Sequence, residues 1–233
     1  MFSKASEKIR KSTYGFLAGS VISKIGSQIS VNASNGTAFM VAPGYLVTAA
    51  HSIHQNNDPK KPVHQGYELI CAPDIGQQME KAVFVAEDTS HDIALLKIEN
   101  HKNSSSIEFE EKIIPRGTNC GFLGFPLSNV QFFPDGKRLF NLFERFQGAY
   151  ISNYLTHQKG TPQERSFYEI DTLMYSGSSG CPAFTVDGKV VGMQVASVMQ
   201  KREEDNQSER LAISMVVPAV EIISFLKTQK VFV

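Results

Sequence analysis

Three residues in this chain have the types and local settings for nucleophilic catalysis: His51, Asp92 and Ser179. Tyr45-Leu46-Val47-Thr48-Ala49-Ala50-His51 reads as an apolar strand ending in small residues and a histidine. His91-Asp92-Ile93-Ala94-Leu95-Leu96-Lys97 puts a carboxylate at the mouth of a second apolar strand. Tyr175-Ser176-Gly177-Ser178-Ser179-Gly180-Cys181-Pro182 is a glycine-flanked serine loop that feeds a third. A serine hydroxyl is a poor nucleophile at neutral pH and needs an adjacent base with a pKa near ~7, which imidazole supplies. The imidazole needs a buried carboxylate to set its tautomer and to stabilise the imidazolium. Glycines beside the serine let the backbone bend so that two N–H groups face one point, a pocket for an oxyanion. The donors assigned here are the N–H groups of Gly177 and Ser179.

The elements that must position these residues are short strands. Runs of apolar and β-branched residues recur at 21–25, 37–41, 45–48, 67–71, 82–86 and 93–98. A second series lies at 120–125, 143–152, 167–170, 183–186, 190–198 and 211–217. The turns between them are Ala33-Ser34-Asn35-Gly36, Ala42-Pro43-Gly44, Asp135-Gly136 and Asp187-Gly188. Many short strands at regular spacing predict an all-β fold of barrels or sandwiches. The two series divide near residue 115 and suggest two small barrels. Pro218 followed by apolar Val220, Ile222, Ile223 and Leu226 reads as a closing amphipathic helix against the second barrel. The expected organisation is an N-terminal tail over 1–20, a first barrel over 21–115, a second over 116–217, and the helix with its tail over 218–233. The charge-rich stretch from Lys201 to Arg210 is expected to be a solvated loop.

Composition excludes several function classes. The chain has 233 residues, 42% of them hydrophobic, which is enough for a sizeable core. Lys plus Arg equals Asp plus Glu at 23 each, so no basic surplus points to nucleic acid. No run approaches the ~18 uninterrupted apolar residues of a membrane-spanning helix. Cys71, Cys120 and Cys181 are odd in number and widely spaced, which suits free thiols in a reducing compartment. The basic N-terminus is followed by a short run broken by Gly15, Gly19 and Ser20, so a solvated tail is expected in place of a cleaved leader. Cytoplasmic location is the expectation, with secretion the alternative. The histidine and cysteine spacings support no metal site.

Val47-Thr48-Ala49-Ala50-His51, Asp92-Ile93-Ala94-Leu95-Leu96-Lys97 and Gly177-Ser178-Ser179-Gly180-Cys181-Pro182 resemble the three signature blocks of the chymotrypsin family of serine proteases. They stand in the family's order. Gly124-Phe125-Pro126, Asp171, Val191-Gly192-Met193-Gln194-Val195-Ala196 and the closing Ile213-Ser214-Met215-Val216-Val217-Pro218 resemble the HtrA-type and glutamyl-endopeptidase-type bacterial members. The resemblance covers roughly residues 21–226. It implies two six-stranded antiparallel barrels with a C-terminal helix, and hydrolysis of peptide bonds through an acyl-enzyme. His51 and Asp92 would come from the first barrel and Ser179 from the second. No cofactor is implied, and the partner is a protein or peptide substrate.

The chain also departs from the family pattern. Ser178 stands where zymogens carry an aspartate that pairs with a newly cut N-terminus, so activation by trimming is not expected. The PDZ domains of HtrA proteins are not expected either. Cys181 is a rival nucleophile, since related viral proteases use a cysteine in this loop, but it precedes Pro182 and reads as a buried thiol. Gly180-Cys181-Pro182 places the register on Ser179 over Ser178. His91 lies beside Asp92 but lacks the apolar lead-in of His51. His54, His64, His101 and His157 lie in polar stretches and are expected to be solvated or locally bonded. Asp74 and Asp88 head no apolar strand.

By resemblance the specificity pocket is lined by Leu173, Met174, Gln194, Val195, Ala196 and Ser197. Leu173 stands where trypsin-type enzymes place an acid, and Gln194 where glutamyl endopeptidases place a histidine. Asp171 is assigned to loop support. An uncharged, mostly aliphatic residue is expected before the cut. A protease-fold binding protein with weak or lost catalysis is the alternative function, and a non-peptide acyl hydrolase is a second.

Overall fold

The computed structural model describes residues 2–25, 28–99, 105–133, 138–161, 164–201 and 207–231. Along the chain lie helix α1 (Ser3–Arg10) and strands β1 (Thr13–Ile25), β2 (Gln28–Ala42), β3 (Tyr45–Ala49), β4 (Gly66–Cys71), β5 (Glu80–Asp88) and β6 (Ile93–Ile98). They are followed by β7 (Glu108–Phe109), β8 (Asn119–Gly124), β9 (Asn129–Phe132), β10 (Arg138–Asn141), β11 (Arg145–His157), β12 (Arg165–Ile170) and β13 (Pro182–Phe184). Strands β14 (Lys189–Lys201) and β15 (Ser208–Pro218) lead into helix α2 (Ala219–Thr228).

Strands β1 to β6 close an antiparallel barrel in the order β1-β2-β3-β6-β5-β4. In the second half the order is β13-β8-β11-β12-β15-β14, and pairing of β13 with β14 closes this ring as well. Strand β7 adds to β14 in parallel register, and β9 pairs with β10 in a separate hairpin. The fold is the expected chymotrypsin-like, mostly β architecture with a short C-terminal helix.

The seam between the barrels explains why the end of β2 (38–42), β3 and the start of β6 (93–96) read as nearly continuous apolar runs. Successive side chains on a strand point to opposite faces. Met40, Leu46, Ala94 and Leu96 fill the first barrel. Their neighbours Phe39, Val41, Val47, Ala49, Ile93 and Leu95 face outward into a shared cluster with Phe184, Met193, Val217 and α2. Both faces are buried over these runs, so the polar residues within and beside them, Thr48 and Thr37, are buried as well. The ends of β3 and β6, which carry His51 and Asp92, are thereby clamped against the second half of the chain.

Several expectations are corrected. The stretch expected as a tail over 1–20 contains α1, whose Ala5 and Ile9 are buried in the seam cluster. It also holds the first part of β1, with Tyr14, Phe16 and Ala18 inside the first barrel. Glycines disguised it. A Cβ on Gly15 would stand 2.6 Å from the Leu142 side chain and 3.2 Å from the Phe125 ring, so that glycine is there for close packing. The turn expected at Ala33-Ser34-Asn35-Gly36 is the interior of β2, with Asn35 opposite Leu17 and Gly36 opposite Phe16. The chain joins the second half before residue 115, because β7 already pairs with β14. Helix α2 packs on residues of both barrels, not on the second alone. The two ends of the charge-rich stretch are not loop but ladder, with Arg210 paired to Met199, Glu209 to Gln200 and Ser208 to Lys201. Residues 202–206 within it, the turn at Asp135-Gly136 and His101 lie outside the described residues.

Candidate active site

His51 sits in a short 3-10 turn, Ala50–Ile53, that caps β3. Its backbone N–H donates to Asp92 Oδ1 at 2.7 Å, and its ring Nδ1 lies 2.6 Å from Asp92 Oδ2. The Ala50 N–H donates to the Asp92 carbonyl at 3.0 Å. Asp92 therefore meets the turn with its main chain and both carboxylate oxygens. It adopts φ 57°, a left-handed conformation that a short polar side chain tolerates better than most. On the far side of the ring, His51 Nε2 is 2.9 Å from Ser179 Oγ. The carboxylate holds the proton on Nδ1 and leaves Nε2 to accept from the hydroxyl.

The serine loop is shaped by glycines that admit no side chain. Gly177 has φ 92° and Gly180 φ 86°. A Cβ on Gly177 would lie 2.4 Å from the Phe125 carbonyl oxygen, and one on Gly180 2.0 Å from that of Thr37. Within the loop the Ser178 N–H donates to the Tyr175 carbonyl, the Cys181 N–H to the Ser178 carbonyl and the Gly180 N–H to the Gln194 carbonyl. Among the described residues, no acceptor takes the N–H of Gly177 or of Ser179.

Thr37, in β2, ties this loop to the first barrel. Its N–H donates to the Ser179 carbonyl at 3.0 Å, and its Oγ1 donates to the Gly177 carbonyl at 2.8 Å. The same hydroxyl accepts the Phe125 N–H at 3.0 Å, while the Thr37 carbonyl accepts from Thr48 Oγ1 at 2.8 Å. Next to it, a Cβ on Gly36 would stand 2.6 Å from the Phe16 ring and 3.2 Å from the Ser179 carbonyl oxygen. That close approach, and not a turn, is the reason for the glycine. The sequence reading passed over Thr37 because a threonine inside a β-run carries no signal of its own.

Residues 36–193 match the family model of the trypsin-like peptidase domain. The chain belongs to the trypsin-like peptidase family. Its fold is similar to that of the active form of the Rv3671c protease from M. tuberculosis, with a TM-score of 0.68 at 17% identity. That match covers 96% of this chain and 82% of the other. It is also similar to the HtrA-type protease AlgW with tripeptide, with a TM-score of 0.70 at 16% identity over 99% of this chain and 64% of the other. A sequence search of curated proteins found no match.

The other candidates in this peptidase are accounted for by their surroundings. Ser178 is 3% exposed and does not line the cleft. Cys181 is buried and its thiol pKa is pushed up by that burial, so it stays protonated and unreactive. Burial likewise pushes Cys120 up to about 12.

Of the two expectations for His54 and His64, solvated or locally bonded, the first does not hold: both are buried and hydrogen-bonded. His64 is 3% exposed, with Nδ1 3.2 Å from Ser20 Oγ and Nε2 3.1 Å from Ser34 Oγ. Burial lowers its pKa. No carboxylate touches its ring among the described residues, and it does not line the cleft. This serine–histidine cluster is a buried strut. Burial also opposes charge on His54, but its bonds to Glu87 at 2.7 Å and to the Lys61 carbonyl outweigh that and raise its pKa. His91 lies 2.7 Å from Asp88 Oδ2 and 3.7 Å from Glu221 Oε2 of α2. Asp88 raises its pKa, and His91 in return holds Asp88 well below the usual carboxylate range.

Ser179 and His51 open onto a cleft of about 300 Å³. Met174, Gln194, Val195, Ala196 and Ser197 line it, as the sequence suggested. Leu173 does not, and its carbonyl instead accepts from Gln147 Nε2 at 3.0 Å. Asp171, assigned to loop support, bonds to β11, its Oδ1 accepting the Tyr150 N–H at 2.7 Å. Tyr175, in the segment expected to form the wall, lines the cleft too, and the sequence reading missed Asn35, Asn57, Met199 and Arg210, which also contribute.

Proposed function

We propose that this trypsin-like peptidase is a serine endopeptidase working through an acyl-enzyme. Ser179 is the nucleophile, His51 the general base and then general acid, and Asp92 the group that orients His51. The N–H groups of Gly177 and Ser179 stabilise the oxyanion. In the first step Ser179 Oγ bonds to the substrate carbonyl carbon and its proton passes to His51 Nε2. Collapse of the tetrahedral intermediate breaks the C–N bond, and His51 gives that proton to the leaving amine. Water, deprotonated by the same nitrogen, then cleaves the ester and restores Ser179. The observation that carries this reading is the 2.9 Å separation of Ser179 Oγ from His51 Nε2, on a ring whose other nitrogen is held by Asp92.

The test is labelling with a serine-directed fluorophosphonate, combined with cleavage of an unbiased peptide library. The modified residue is expected to be Ser179. Ser179→Ala should retain only the ~10³–10⁴-fold advantage over water that oxyanion stabilisation and binding provide without a nucleophile. Absence of both labelling and turnover in folded protein would favour a protease-fold binding protein. Turnover of esters but not of peptides would favour a non-peptide acyl hydrolase.

A further inference from the structure

Strand β15 delivers one cation to the cleft. The β14–β15 pairing shifts register between Arg210 and Ser214, and the side chains of both reach the segment preceding Ser179. Ser214 Oγ donates to the Thr172 carbonyl at 2.8 Å. Arg210 Nη1 donates to the Met174 carbonyl at 3.2 Å, and Ser197 Oγ reaches that same carbonyl at 3.3 Å. This fastens the guanidinium stem to the cleft wall. Among the described residues Arg210 has no carboxylate partner, and its other donors are unengaged. The cleft-lining residues include no aspartate or glutamate, and Asp92 is spent on His51. Among the described residues the cleft is therefore one-signed: a fixed positive charge with a forked donor set, open to solvent and without a carboxylate partner.

The side chain that enters a cleft opening directly on Ser179 belongs to the residue whose carbonyl is attacked, because it branches from the Cα bonded to the reacting carbon. We infer that Arg210 makes this cleft a receptor for a carboxylate side chain, so that the peptidase cuts after acidic residues. This rests on the peptidase reading above and replaces the uncharged preference expected from Leu173 and Gln194. That expectation considered only the positions at which relatives carry their charge, whereas here the charge arrives from a different strand. A guanidinium pairs with a carboxylate through two parallel N–H···O bonds. A Lys or Arg side chain would meet like charge in the same space.

The test uses C-terminally amidated, internally quenched peptides that differ only in Glu, Gln or Lys before the scissile bond. A charge-assisted bond at a solvent-exposed guanidinium predicts roughly tenfold higher kcat/KM for Glu than for its isostere Gln, with Lys poorest. The Glu-to-Gln ratio should shrink as salt is raised. Arg210→Gln should collapse the ratio toward one through loss on the Glu peptide, and Arg210→Lys should restore part of it. The same peptides are measured for equilibrium binding to Ser179→Ala protein, so the charge preference is read even if no peptide is hydrolysed. Inert protein that still binds Glu over Gln through Arg210 would remove the catalytic reading and keep the receptor. A Glu-to-Gln ratio at or below one, or one unchanged in Arg210→Gln, overturns the inference.

Discussion

Replacing Thr37 by valine tests how the two halves of the site are held together. The change keeps the branched shape at a fully buried position and deletes only the hydroxyl. That hydroxyl donates to the Gly177 carbonyl at 2.8 Å and accepts the Phe125 N–H at 3.0 Å. Both partners are buried, so valine leaves an orphaned acceptor and an orphaned donor, each costing about 1–3 kcal/mol. With partial relaxation the expected loss is about 2–4 kcal/mol, measured as the shift in denaturant midpoint at constant slope. Thr37→Ser keeps the hydroxyl and loses one methyl, which is worth about 1 kcal/mol. The functional effect should be separable. The Gly177 carbonyl is the far end of the residue whose N–H is assigned to the oxyanion, so releasing it loosens a donor needed most in the transition state. Complete loss of one such donor costs about 10²–10³-fold in kcat, and a loosened one should cost about tenfold to a hundredfold. KM should move little, because the ground-state carbonyl gains less from that donor. A Thr37→Val protein with unchanged midpoint would show that these buried groups find other partners. One that is destabilised yet fully active would show that the tether does not position the oxyanion donors.

The remaining predictions concern pH and the N-terminus. His91 faces Asp88 and Glu221, which favour its charge, and Arg165, which opposes it, with a net raised pKa. A raised folded-state pKa means that stabilisation is complete below the unfolded value near ~6.5 and is lost as pH rises through the folded value. The melting temperature of the wild type should therefore fall more than that of His91→Gln between about pH 6 and 9, and equal falls would remove the pair from the account. Comparison with the variant cancels His54, which titrates with the same sign. Asp88 works in the opposite range, its contribution being lost only as pH falls through its depressed value. Deleting residues 1–12 should destabilise the peptidase without activating it. The cut removes buried Ala5 and Ile9 from the seam, the latter alone worth about 1.5–3 kcal/mol, and Ser178 offers no charge to a new terminus. Higher kcat after trimming, by proteolysis or by design, would overturn this.

What the sequence made legible follows from where physics leaves a local trace. Strands β3 and β6, buried on both faces, wrote themselves as apolar runs, and the residues at their ends were therefore easy to single out. The loop around Ser179 was legible because Gly177 and Gly180 occupy backbone conformations that other residues avoid. Gly15 and Gly36 misled for the same reason. A glycine required by a neighbouring ring or carbonyl looks like a glycine required by a turn, and the distinction lies in Phe125, Phe16 and Ser179, distant in sequence. His54 and His64 sit in polar stretches, yet their neighbours Ser20, Ser34 and Glu87 arrive from other strands and bury them.

Arg210 shows the same limit at the site itself. Its sequence neighbours Ser208 and Glu209 are exposed and polar, and by composition alone the stretch is a loop. Pairing with Met199 makes it a strand, and beyond the register shift that separates it from Ser214 its side chain reaches the segment before Ser179, as that of Ser214 does. A register shift of one residue would turn Arg210 outward and bring Glu209 in, exchanging the sign of the cleft. Substrate charge preference in this peptidase is thus set by hairpin register as much as by residue identity. Inserting one residue between Glu209 and Arg210 shifts the paired end of β15 by one position against the part that follows, whereas Arg210→Gln leaves register intact. If Arg210 acts through its place in the ladder, the insertion should lower the Glu-to-Gln ratio as far as the substitution does, although the arginine is still present. An insertion mutant that keeps the full ratio would mean the guanidinium reaches the cleft independently of the register in which β15 pairs.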